Sequence, residues 1–251
     1  MSNILNVGVR ALLANQAALA TAGHNISNAS TVGYSRQIVK LETVDGQYTS
    51  GGYIGKGVDV QAIERVFDAY LTRQAALSKS VASQDVTRAQ KMLQLEDVFG
   101  TGKTGLGAAI NEMLNAFNDV ATAPTDLTAR TVVLTRASET ATRFNDAATQ
   151  LANLQSGLTE ELENSVSTIN TLTAGIAEVN RLIQQTKGLG QPPNDLLDRR
   201  DKLVSDLNQY IQTTTLEDPD GTISVYAGQS QPIVQGTRAI DMAVRANPQD
   251  P

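Results

Sequence analysis

"FNDAATQLANLQSGLTEELENSVSTINTLTAGIAEVNRLI", residues 144–183, decides the fold. Two interleaved series of seven run through it: Phe144, Leu151, Leu158, Ser165, Leu172 and Val179, and beside them Ala148, Gln155, Leu162, Ile169, Ile176 and Ile183. Positions seven apart share one face of a helix, and two such series offset by three or four residues are the a and d positions of a coiled-coil seam. No proline falls within 126–187. One helix over that stretch would reach roughly 90 Å at about 1.5 Å per residue, an extended rather than a compact element. The alternative is a bent hairpin broken at Gly157 or Gly175, since an interior glycine costs a helix about 1 kcal/mol. Pro124 precedes the run, with Thr125 or Asp126 as its N-cap. The expected seam is Leu151, Leu158, Leu162, Ile169, Leu172, Ile176, Val179 and Ile183.

Working upstream, helical spacing links Ile63, Phe67, Tyr70, Leu77, Val81, Met92, Leu95 and Phe99 in one long helix. A shorter one carries Leu106, Ile110, Met113, Leu114, Phe117 and Val120 on one face. Downstream, Gly188 and Gly190 form a stop and Pro192-Pro193-Asn194 a new start. Asp195 to Ile211 then reads as a helix with Asp195/Arg199 and Asp198/Lys202 pairs at i,i+4. From Thr213 the texture is β, with a Pro219-Asp220-Gly221 turn between alternating apolar residues. A second β excursion is expected early in the chain: Gln37 to Val44 alternates, Asp45-Gly46 offers a hairpin turn, and Val58 and Val60 begin another extended run. The fold class is therefore mainly α, an extended multi-helix bundle or coiled coil with a small β excursion after the N-terminal helix and the start of a β domain at the C-terminal end. Four regions follow: residues 1–30, an N-terminal helix; 31–65, a β-rich connection; 66–213, the long-helix domain; and 214–251, the start of a β domain.

The N-terminal helix carries Leu5, Leu12, Leu19 and Ile26 at intervals of seven, one apolar stripe that demands a partner helix. A single amphipathic helix of this length is marginal in water when that stripe is uncovered, so residues 1 to about 30 are expected to order only when something receives it. The helix runs into "ATAGHNISNASTVGYSRQ", residues 20–37, where Asn25, Ser27, Asn28 and Ser30 compete for backbone groups and stop it. This stretch is either an ordinary capped loop or a joint between two layers of structure, with Tyr34 and Arg36 anchoring the strand that follows.

Composition closes off most chemistries. The 251 residues hold no cysteine and one histidine, which leaves no thiol nucleophile, no disulfide and no Cys or multi-His zinc site. Net charge is −6, the pI is about 4.9 and no basic cluster appears, so no nucleic-acid partner is expected. The apolar run from Ala11 to Ala22 is broken by Asn15 and Gln16 and lacks a basic lead-in, so neither a secretory leader nor a membrane insertion is expected. "GTGKTGLG", residues 100–107, lacks the leading glycine of a phosphate loop, Asp97 standing in its place, and follows a helix rather than a strand. His24 has no triad partner in readable spacing. The Asn25-Ile26-Ser27 and Asn28-Ala29-Ser30 triplets would be glycosylation acceptors only on a secretory route. No catalytic residue, metal ligand or cofactor is assigned, and no enzyme is expected. Two readings fit the residues alone: an assembly subunit that uses Leu5 to Ile26, and a free coiled-coil scaffold that dimerises through Phe144 to Ile183.

Three segments carry a family resemblance. "LANQAALATAGHNISNASTVGYSRQ", Leu13 to Gln37, is similar to the N-terminal signature of the bacterial flagellar axial proteins, an apolar helix ending in an Asn-rich segment and Thr-x-Gly-Tyr-x-Arg. "GGYIGKGVDVQAIERVFDAYLTRQ", Gly51 to Gln74, resembles that family's Gly-x-Gly-Val-x-Val-x-x-Ile-x-Arg-x-x-Asp segment. "PNDLLDRRDKLVSDLNQ", Pro193 to Gln209, resembles a segment of its hook-filament junction members. The resemblance implies a structural subunit of the flagellum, exported unfolded through the flagellar apparatus with a chaperone and working outside the cell. It implies packing into a helical tube or ring with copies of itself, the hook protein and a second junction protein. The assembly interface it implies takes in Leu5, Leu12, Leu19, Ile26, Asn25, Asn28, Gly33, Tyr34 and Arg36. It also implies that the helix receiving the N-terminal stripe lies beyond Pro251.

Overall fold

The computed structural model describes residues 2–49, 51–186, 191–228 and 230–245. Its helices are α1 (Ser2–Ser27), α2 (Ala69–Phe99), α3 (Leu106–Thr122), α4 (Leu127–Thr186) and α5 (Asn194–Leu207). Its strands are β1 (Gln37–Thr43), β2 (Gln47–Thr49), β3 (Gly52–Ile54), β4 (Val58–Arg65), β5 (Thr213–Glu217), β6 (Ile223–Ala227), β7 (Gln231–Gln235) and β8 (Arg238–Ala239). The long run is a single helix of 60 residues that passes through Gly157 and Gly175 without breaking. Asp126 starts it, its Oδ1 accepting from the Thr128 amide at 2.8 Å. The stop expected at Gly188 and Gly190 lies outside the described residues.

The chain divides into two compact units, Met1–Val81 with Thr168–Met242, and Ala82–Ser167 with Ala243–Pro251. In the second, α3 runs antiparallel to the N-terminal part of α4. Arg143 donates to the carbonyls of Thr104 and Gly105, Thr140 Oγ1 to that of Ala109 at 3.2 Å, and Arg136 pairs with Glu112 at 2.9 Å. The residues buried on these helices are small or β-branched and seven apart: Ala109 and Ala116 on α3, Val133, Thr140 and Ala147 on α4. Leu114 and Phe117, expected on the inner face of α3, are exposed instead. The glycine-rich stretch between α2 and α3 holds one 3-10 turn, Gly102–Thr104, and a helix precedes it where a phosphate loop needs a strand.

In the first unit, strands β5 to β8 form an antiparallel sheet in sequential order. Pro219-Asp220-Gly221 makes the turn between β5 and β6, Gly221 taking φ +86°. This sheet, α5 and the last five turns of α4 share one core of Ile169, Ile176, Ala177, Leu207, Ile223, Val225, Ala227, Ile233 and Val234, with Leu172, Leu203 and Val204 packed against it. Two asparagines pin the chain to α4 inside that layer. Asn180 Nδ2 donates to the carbonyls of Ile223 (2.7 Å) and Gly236 (2.6 Å) while its Oδ1 accepts from the Ile223 amide, and Asn170 makes the same reciprocal pair with Met242.

The early β excursion holds the two expected extended runs and one element more than the sequence predicts. β1 pairs antiparallel with β4, Gln37 opposite Arg65, and the short hairpin β2–β3 is inserted between them. Asp45-Gly46 therefore leads into β2 rather than closing a hairpin on β1. The long helix also starts later than Ile63, which belongs to β4. Asp68 sets the start, its Oδ1 accepting from the amides of Tyr70 and Leu71. Likewise α5 ends at Leu207, not Ile211, because Asn208 turns its side chain onto the Val204 carbonyl and the Thr213 amide.

Candidate assembly interface

Helix α1 has two faces, and a heptad series marks each. Leu5, Leu12, Leu19 and Ile26 stand outward, 70%, 60%, 79% and 78% exposed. Two residues further on, about 200° around a helix with 3.6 residues per turn, Val7, Ala14 and Thr21 face the β1–β4 ribbon. Ala14 and Thr21 there are buried, only 5% and 6% exposed. Small side chains let the helix approach the ribbon closely, and Arg10 closes the contact on Asp59 at 2.9 Å. The helix is thus formed without a partner on its outer stripe: the ribbon receives the other face. That corrects the expectation that residues 1 to about 30 stay unordered until assembly. Ile4, Val9 and Leu13, all more than half exposed, widen the outer apolar face on both flanks.

Asn25 ties the end of α1 to the first strand. Its Nδ2 donates to the Gln37 carbonyl and its Oδ1 accepts from the Gln37 amide, both at 2.8 Å, and from the Tyr34 hydroxyl at 2.6 Å. Since the Tyr34 proton is committed to Asn25, the 3.0 Å contact with His24 Nδ1 is one in which the ring nitrogen donates. Burial, together with the negative charges of Asp198 and Asp195, holds the Tyr34 hydroxyl above its usual value and keeps that proton in place. Asn28 Nδ2 caps the His24 carbonyl, and Asn28 Oδ1 accepts from Thr31 Oγ1. Gly33 takes φ +87°, a backbone conformation that strains any L side chain, and a Cβ there would crowd Lys202 at 3.3 Å. Arg36 is exposed; its contribution to the joint is its carbonyl, which accepts from the Val66 amide at 2.7 Å.

Beneath this joint lies a charged cluster that spacing alone does not reveal. Arg65 Nη1 donates to Asp198 Oδ1 at 3.0 Å and Asp201 Oδ2 at 2.5 Å, with its guanidinium 4.1 Å over the Phe67 ring. Asp198 Oδ2 accepts from the Ser35 amide at 2.8 Å. The expected Asp198/Lys202 pair is thereby replaced, Lys202 turning to Asp206 at 2.6 Å; among the described residues Asp195 and Arg199 form no ion pair. Burial holds the Asp201 carboxyl above the ordinary carboxylate range even beside Arg65, and lowers Arg200, whose Nη1 donates to the Gly221 carbonyl. Asn194 and Gln191 bind the carbonyl and amide of Ile63, covering the open edge of β4.

The long stripe of α4 is divided. Ile169, Ile176, Val179 and Ile183 are buried and Leu172 is partly so, facing the sheet and α5, whereas Leu151, Leu158 and Leu162 are exposed. Among the described residues no group of His, Cys, Asp and Glu could hold a metal ion, and no helix is long and apolar enough to cross a membrane.

A mainly helical chain whose first helix carries a wide apolar face and ends in an Asn-rich joint has the features that the resemblance to the flagellar axial proteins implies. The model of the family described as "Flagella basal body rod protein" matches residues 5–34, and that of "Flagellar hook-associated protein FlgK helical domain" matches residues 92–251. The chain belongs to this hook-associated protein family. It is 28% identical over its whole length to flagellar hook-associated protein 1 of Escherichia coli, covering 46% of that protein. To the protein of the same name from Bacillus subtilis it is 32% identical over 88% of the chain and 47% of the relative. The solved structure described as the flagellar hook junction protein FlgK from Burkholderia pseudomallei superposes with a TM-score of 0.60 at 27% identity, over 67% of this chain and 30% of that one. The chain thus spans about half the length of the relatives it matches.

Proposed function

We propose that the chain is the N-terminal portion of a structural, non-enzymatic adaptor at the junction between flagellar hook and filament. The observation that carries this reading is the outward face of α1: large apolar residues in a contiguous arc, exposed, on a helix whose opposite face is already occupied. Such a patch marks an interaction surface. A helix from the part of the protein beyond residue 251, or from a neighbouring copy, would cover it. In this reading residues 1–30 are the assembling helix, 31–65 the connection, 66–213 the long-helix domain and 214–251 the start of an outer β domain. Neighbours would be copies of the same protein, the hook protein and a second junction protein, reached outside the cell through the flagellar export apparatus with a chaperone's help. The exposed half of the α4 stripe, Leu151, Leu158 and Leu162, would add lateral contacts.

The test is the full-length protein carrying Leu12→Asp with Leu19→Asp. Both positions face water in the free chain, so folding should be unaffected, while cells should build hooks and release flagellin into the medium. Normal filaments on such cells would refute the reading. A stable dimer of the 251-residue chain at micromolar concentration, abolished by Leu158→Asp, would favour the coiled-coil scaffold instead.

A further inference from the structure

We propose that Arg65 is a positioning residue for assembly: its guanidinium, bridging Asp198 and Asp201, is a latch that holds residues 31–37, and through them α1, on helix α5. The inference rests on the reading that α1 is the assembling element. Three separate stretches of sequence meet at this point. Ser35 belongs to the joint after α1, Arg65 is the last residue of β4, and the two acids lie one turn apart on α5. Residues 133 and 136 apart along the chain are joined by one nitrogen of Arg65.

The chemistry makes Arg65 the hinge of the set. Asp198 and Asp201, at i and i+3, present like charges on one face of α5, a destabilising arrangement unless a cation stands between them. The side chains of Arg65 and Asp198 are only 10% and 9% exposed, so a charge left without its partner there is not rescued by water. The guanidinium carbon stands 4.1 Å over the Phe67 ring, and a lysine would keep the charge but replace the planar group with a compact ammonium that fits this site less well. Once the two carboxylates are balanced, Asp198 Oδ2 is free to accept from the Ser35 amide, and Ser35 lies between Tyr34 and Gln37, the two residues that Asn25 binds. The path from α5 to the end of α1 therefore runs from Asp198 to the Ser35 amide, along the backbone of residues 34–37, and by hydrogen bonds from Tyr34 and Gln37 to Asn25. None of its members belongs to the apolar core under β6 and β7, so the latch can open while that core stays closed.

The test compares Arg65→Gln and Arg65→Lys in the full-length protein. Hydrogen exchange reads the latch at the Ser35 amide and the core at the Val225 and Val234 amides, and flagellar incorporation reads assembly. Arg65→Gln should speed exchange at Ser35 by at least about tenfold while leaving the core amides unchanged, and most incorporation should be lost although export continues. Arg65→Lys, keeping the charge without the stacking, should fall between Arg65→Gln and the parent in both readouts. Unchanged exchange at Ser35, or a core that loosens equally in both variants, would overturn the separable latch. Normal incorporation with a loosened Ser35 would overturn its role in assembly. The reading of α1 itself fails independently, by normal assembly of the Leu12→Asp/Leu19→Asp protein with Arg65 intact.

Discussion

Replacing Ile176 with alanine, beside the same truncation at Leu162 two heptads earlier, asks which half of the α4 stripe carries the fold. Ile176 is wholly buried in the core of α4, α5 and the β5–β8 sheet, while Leu162 is 52% exposed. Each substitution removes three carbons. At about 0.8 kcal/mol per buried carbon the transfer loss at Ile176 is about 2.4 kcal/mol, and the cavity left in a rigid core raises the cost to about 4 kcal/mol. At Leu162 half of the side chain is already in water and no closed cavity forms, so about 1 kcal/mol is expected by the same reckoning. Urea unfolding followed by far-ultraviolet circular dichroism gives the two costs, and hydrogen exchange of the β6 amides locates the loss at Ile176. Equal costs would mean that the stripe is buried along its whole length. A cost below about 1 kcal/mol at Ile176 would mean that this core does not hold the sheet on the helix.

Three further outcomes follow from the side-chain geometry. Asp126→Ala removes the cap from the Thr128 amide and should lower stability by about 1 kcal/mol, read as a drop in the Tm of the helical signal; no change would mean the first turn is frayed. Asn180→Leu strands the amide and carbonyl of Ile223 and the carbonyl of Gly236 in a buried layer and should cost about 3 kcal/mol or more by urea titration, whereas a neutral result would show that the sheet re-pairs without it. The pH dependence of Asp201 has a definite sign. Burial raises its carboxyl in the folded state, so its stabilising contribution is fully present below its unfolded pKa and is lost as pH rises through the raised folded value. Asp201→Asn should flatten that part of the stability curve on the acid side, and a curve parallel to the parent's would contradict it.

Much of the helical architecture is legible because periodicity is a local signal. The sevens of α4, the cap at Asp126, the Pro219-Asp220-Gly221 turn and the restart at Pro193 all depend on neighbours within a turn or two. What the stripe faces is not local: the same spacing continues from Leu151 to Ile183, yet the sheet covers only its C-terminal half. On α1 the large apolar residues mark the face that awaits a partner, and they are exposed; the face packed within the chain carries no such mark. The ribbon takes the series Val7, Ala14 and Thr21, whose small and polar members look like a solvent face until a close-packed neighbour is supplied. Asn180 could have been found, since it stands four residues after Ile176 and three before Ile183, on the apolar face, where an amide must have partners. Arg65 stands in the Gly-x-Gly-Val-x-Val-x-x-Ile-x-Arg-x-x-Asp segment, but nothing in the spacing of β4 announces its partners, two carboxylates more than 130 residues away. The two strands of the early ribbon are legible at Gln37 and Val58, whereas the inserted β2–β3 hairpin is not, because its three-residue strands are too short to show a period.

The central claim is that the outer stripe of α1 is open in the free protein and covered in the flagellum. Residues 1–251 contain no cysteine, so Leu12→Cys and Leu19→Cys each place the one thiol of this part of the protein on that stripe, with the parent protein as the labelling control. The measurement is the rate at which a soluble maleimide labels each thiol in the free protein and in assembled, washed flagella. Fast labelling of both positions in the free protein and strong protection of both after assembly is the result this account predicts. Equal labelling in the two states would contradict it, because the exposed apolar face of α1 would then have no partner in the structure it is held to build.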